Sequence, residues 1–195
     1  MRSTYTHIIT RARQVIVALY ISMSLSAQSD RDLFDAYLNE DMTVWQAYVD
    51  TTVDLTYEYG FCGYIVDNDK EAAKPYVKRF KEHVEAQRDS LPVGHYKMYL
   101  SAVYVYELRL KESVHPIKAM SLAKEATRLA PEDPIVLSYY GTCLFYAPKP
   151  FGNKKEALTY FKRAEEIFHA SEWDYCWIRE ATLMYIRQCQ EKLNL

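Results

Sequence analysis

The chain has 195 residues, 49% of them hydrophobic and 26% charged, with a formal net charge of −2. That balance excludes a disordered or fibrous chain and suits one globular domain. The longest basic cluster, Lys78-Arg79-x-Lys81, is flanked by Glu82 and Glu85, so it reads as a solvated helix face and no nucleic-acid surface is predicted.

Arg2, Arg11 and Arg13 precede an apolar run from Val15 to Leu25, followed by Ser26-Ala27-Gln28-Ser29. This is the layout of a secretory signal peptide over 1–27, cut after Ala27 or Ser26. The run is well short of the roughly 20 apolar residues of a spanning helix. The mature protein is therefore expected in the periplasm or outside the cell, with no stable membrane insertion. Cleavage removes three arginines and no acid, which moves the net charge to −5. Export permits disulfides. Cys62, Cys143, Cys176 and Cys189 lie on separate predicted helices, and either each is a small buried hydrophobe or Cys143 pairs with Cys176.

Residues 28–195 are predicted to form a single all-α domain, because glycine and proline fall between segments of helical period and no alternating strand pattern occurs. A short helix over 32–38 is followed by one over 43–61, on which Val44, Trp45, Tyr48, Val49, Thr52, Leu55 and Tyr59 recur at helical spacing. Asn68-x2-Glu71 is a reciprocal cap for the next helix, which carries Ala73, Val77, Phe80 and Val84, with Pro75 in its first turns. The helix over 92–111 is apolar and aromatic on nearly every side, so both its flanks must be covered. Pro116 opens a helix whose Ala119, Ala123 and Ala126 form a narrow packing ridge. Asp133-Pro134 starts the helix over 134–146, and Asn153-x2-Glu156 caps one running to Ala170. Ser171-x2-Asp174 is placed to cap a last helix, within 172–193, with Trp177, Ala181, Met184 and Gln188 inward and Arg179, Glu180, Arg187 and Glu191 outward.

The spacing Ala119-x3-Ala123-x2-Ala126-x4-Pro131, repeated as Ala157-x3-Phe161-x2-Ala164 after Leu137-x2-Tyr140-Gly141-x2-Leu144, resembles the tetratricopeptide repeat. The resemblance covers about 43–193 and is clearest over 92–131 and 134–170. Pro148-x2-Phe151-Gly152-x4-Ala157 is also similar to the long-turn repeat of exported Gram-negative members, with Asn153 where those often carry a second glycine. The resemblance implies an α-α superhelix, a solenoid of about three hairpins plus a C-terminal capping helix. It further implies a non-catalytic adaptor or assembly factor that holds a protein or peptide on its concave face. Aligning Gly60, Ala102 and Gly141 with the small position of the first repeat helix turns Tyr57, Phe61, Tyr64, Tyr96, Tyr99, Tyr106, Thr142, Phe145 and Tyr146 toward that face. An aromatic trough of this kind suits a peptide, and alternatively a glycan or small apolar ligand held as by a solute-binding accessory protein.

Catalytic chemistry is less well supported. His83, His95, His115 and His169 include no i, i+4 pair for a metal, and no nucleophile elbow, phosphate loop or dinucleotide motif is present. No cofactor is expected. Asp54, Glu58 and Glu107 remain the one set of carboxylates able to converge as acid and base on a helical-repeat scaffold.

Overall fold

The computed structural model describes residues 31–112, 115–171 and 175–195. The expected signal peptide and the cap position Asp174 lie outside the described residues. The chain divides into two units, residues 1–44 and 45–195. In the first, helix α1 covers 31–38, and Asn39 Nδ2 donates to the Asp35 carbonyl at 2.8 Å to close its end. The amide of Thr43 donates to Asp41 Oδ1 at 3.1 Å, which starts α2 (Met42–Thr51).

The second unit holds the rest of α2 and then α3 (Leu55–Asn68), α4 (Lys70–Ala86), α5 (Val93–Arg109), α6 (Pro116–Leu129), α7 (Pro134–Tyr146), α8 (Lys154–Ala170) and α9 (Trp177–Leu193). The described residues are helices and connections, with no strand among them. Each helix from α3 to α9 packs on its chain neighbour, and α3, α5, α7 and α9 also pack each on the next of that set. Small residues make the close approaches possible. Ala73, Ala102, Ala123, Ala126, Ala157 and Ala164 are fully buried, as are Phe80, Phe161 and Phe168.

Three local features depart from the sequence reading. The single helix expected over 43–61 is two, because Asp54 accepts from the amides of Thr56 and Tyr57 and so caps a new start. The β-branched run Thr51-Thr52-Val53 ahead of it has little helix propensity to oppose the break. The cap of α4 is Asp69, which accepts from the amides of Glu71 and Ala72, in place of Asn68. Finally, α9 keeps Trp177 inward as expected, 5.2 Å from Trp45 and 5.9 Å from Tyr59, but its buried residues are Ile178, Thr182 and Cys189 where Ala181, Met184 and Gln188 were expected. Thr182 Oγ1 lies 2.7 Å from Ser138 Oγ on α7 and donates to the Ile178 carbonyl. The Arg179 guanidinium, half-buried, reaches Glu165 on α8 at 3.0 Å. All four cysteines are free thiols.

The turn into α7 shows how one side chain serves two purposes. Asp133 accepts from the amides of Ile135 and Val136 and also binds His95 Nε2 of α5 at 2.6 Å. Burial opposes its ionisation, but the His95 hydrogen bond and charge and the two amides outweigh this, and its pKa is lowered. Asp133→Ala is expected to cost about 1–2 kcal/mol in urea denaturation at pH 7. Because the folded pKa is depressed, the deficit should fade as pH falls through it.

Candidate functional site

The nine residues expected to line a trough separate into two groups. Tyr57, Phe61, Tyr99, Tyr106 and Phe145 are buried, Tyr96 and Thr142 are half-buried, and Tyr64 and Tyr146 are exposed, at 42% and 66%. The buried phenols have partners within the fold. Tyr99 Oη lies 3.1 Å from Thr56 Oγ1, and Tyr106 Oη donates to the Tyr59 carbonyl at 2.9 Å. Thr142 Oγ1 donates to the Ser138 carbonyl at 3.0 Å within its own helix. Tyr96 Oη donates to Glu85 at 3.2 Å, with the Arg88 guanidinium over the ring.

What joins these helices is a ring that the sequence reading treated as one more member of an apolar stripe. Tyr59 of α3 lies within ring contact of Tyr99 and Tyr106 of α5, Tyr139 of α7 and Trp177 of α9, with centre distances of 5.7–6.5 Å. Trp45 of α2 closes the seam, 5.2 Å from Trp177. The next residue, Gly60, makes this possible, since a Cβ there would lie 2.5 Å from the Trp45 ring and 2.8 Å from Trp177. The aromatic faces are thus spent on one another, edge to face in most pairs. A glycine immediately after a tyrosine in a helix was the available signal, but nothing local says which distant rings will meet it.

Burial raises the Tyr106 and Tyr139 pKa values well above the ordinary phenol range and that of Tyr99 to about 12. The Cys143 thiol is likewise raised by burial to about 12. These groups stay protonated at neutral pH and serve as hydrogen-bond donors and filler.

The three candidate carboxylates are each engaged separately. Asp54 caps α3, Glu107 pairs with Lys81 at 2.7 Å, and Glu58, only 2% exposed, binds His83 Nδ1 through both oxygens at 2.8 and 2.9 Å. Among the described residues no group of three or more His, Cys, Asp or Glu is placed to hold a metal, and no helix is long and apolar enough to cross a membrane. An open cleft of about 290 Å³ is lined by Lys74, Pro75, Val77, Lys78, Lys81, Glu107 and Glu112. Its lysines are matched with Glu71, Glu82 and Glu107, so its mixed charge marks no ligand class. Comparison with family models, with curated proteins and with solved structures finds no match to this chain.

Proposed function

We propose that α3 to α9 form a stack of helical hairpins of the tetratricopeptide kind, and that the exported chain binds a protein or peptide as an adaptor or assembly factor, without chemistry of its own. The observation that carries the reading is the series α3, α5, α7, α9, in which each helix packs on the next of the set as well as on its chain neighbours. Stacked hairpins require that succession. The filled seam argues against the alternative of a small ligand held between the rings, because such a site needs open space with a few convergent polar groups. A macromolecular partner needs only accessible surface, which Tyr64, Tyr96, Thr142 and Tyr146 each retain. Export rests on the N-terminal pattern of arginines and apolar residues.

The test places a photoreactive phenylalanine analogue at position 64 or 146 of the full chain in its source cells. A discrete cross-linked protein or peptide is expected from one or both, and none from exposed Arg128 on α6. Cross-linking that is absent at 64 and 146, or equal at 128, would refute the reading.

A further inference from the structure

The start of α8 and the end of α9 bring two lysines to one aromatic ring. Lys154 and Lys155 occupy the first turn of α8, at the positive end of the helix dipole, where a carboxylate is the stabilising choice. Lys192 lies in the last turn of α9, where the dipole favours a cation. Its Nζ lies 5.7 Å from the centre of the Phe145 ring, and Lys154 Nζ lies 5.4 Å from the same centre. Burial raises the pKa of the Cys189 thiol, and the charges of Lys154 and Lys192 act to lower it.

Among the described residues no ion pair forms to Lys154 or Lys192. Glu156, in the same turn of α8, accepts instead from Asn153 Nδ2 at 3.4 Å. The Phe145 ring thus attracts two ammoniums through its quadrupole, and both remain open to a carboxylate. Tyr146 lies edge-on to Phe145 at 5.0 Å and is 66% exposed, and Phe151, in the α7–α8 loop, is 43% exposed.

We propose that this edge docks an acidic peptide segment, which sets a carboxylate between Lys154 and Lys192 and an apolar side chain against Tyr146 and Phe151. The inference rests on the binding reading above and names the chemistry of the partner. Charge complementarity selects it, since a carboxylate supplies the ion pair that both ammoniums lack among the described residues. The net charge of −2 on the whole chain disfavours extended polyanions such as nucleic acid or an anionic bilayer, which meet the whole surface.

The test is fluorescence anisotropy on the full chain, with a short labelled peptide of glutamates interrupted by leucine and phenylalanine. Binding should weaken as salt is raised, and the glutamine counterpart should bind far less. The double variant K154Q/K192Q should raise Kd about five- to twentyfold with an unchanged circular dichroism spectrum, whereas K124Q on exposed α6 surface should leave it unchanged. Equal binding of the glutamine peptide, an unaltered Kd in the double variant, or tighter binding of phosphatidylglycerol vesicles or a single-stranded oligonucleotide would overturn the proposal. Cross-linking from positions 64 and 146 that persists undiminished in K154Q/K192Q would also overturn it while leaving the binding reading intact.

Discussion

Replacing His83 by leucine should lower the stability of the protein at pH 8 by about 2–4 kcal/mol, a little under the value for a wholly buried pair because the imidazole edge is partly exposed. The reason is the position of Glu58, which is 2% exposed and whose two oxygens both face His83. Leucine fills much of the imidazole volume but leaves a carboxylate in the core with only the more distant Arg79 charge, itself paired with Asp50 at 3.3 Å. Burial already raises the Glu58 pKa above the ordinary carboxylate value. The hydrogen bond and charge of His83 and the charge of Arg79 hold it down, and Asp54 pushes it further up.

A folded state that retains its proton more tightly than the unfolded chain is favoured below the unfolded pKa, and that advantage is lost as pH rises through the folded one. Removing His83 drives the folded value higher still. The deficit of the variant should therefore be largest at pH 8 and shrink on acidification to pH 5. Urea denaturation at the two pH values measures it, and E58Q/H83L should recover at least half of the loss at pH 8. A deficit independent of pH, or one that the double variant leaves untouched, would mean that the pair contributes through packing alone.

The second large effect belongs to the contact between α7 and α8. Phe161 is fully buried, its ring stacks on Tyr185 at 5.2 Å, and one edge lies against the bare Cα of Gly141. Phe161→Ala should cost about 3–5 kcal/mol, since the surrounding helices cannot collapse fully into the space left. Gly141→Ala should cost less, about 0–2 kcal/mol. Its Cβ would lie 2.7 Å from the ring, an overpacking penalty of about 1–3 kcal/mol, but alanine regains about 1 kcal/mol of helix propensity. The two changes should couple. In the double variant G141A/F161L the smaller side chain withdraws the ring edge that the new methyl strikes, so the combined loss should fall short of the sum by about 1 kcal/mol. Strict additivity in thermal or urea denaturation would show that the glycine is there for another reason.

These two sites illustrate how differently legible the chain is. Gly141 and the alanines at 119, 123, 126, 157 and 164 announce close helix approach at fixed intervals, because a position where two backbones nearly touch admits only the smallest residues. The breaks at Asp133-Pro134 and Asn153 are equally plain, since capping is chemistry between residues two or three apart. The start at Asp54 is of the same local kind, yet the continuous apolar stripe from Trp45 to Tyr59 concealed it, because helical period persists across a short interruption.

Glu58 and His83, Tyr59 and Trp177, and Lys154 and Lys192 are another matter. The arrangement of each pair arises only when residues 25 or more positions apart are brought to the same place. For the same reason the nine residues assigned to one face came out partly as core and partly as edge. Periodicity specifies which side of a helix is apolar, but not whether that side meets solvent or another ring.

The amino-acid order by itself determined an all-helical chain, most of its helix boundaries and the small-residue contacts, because propensity, capping and 3.6-residue periodicity act within a few residues. Only the tertiary structure decided that the aromatic face closes on itself around Tyr59, that Glu58 is buried against His83, and that two lysines share one phenylalanine. Those outcomes depend on the rotation of each helix about its axis, which the packing of all its neighbours sets together.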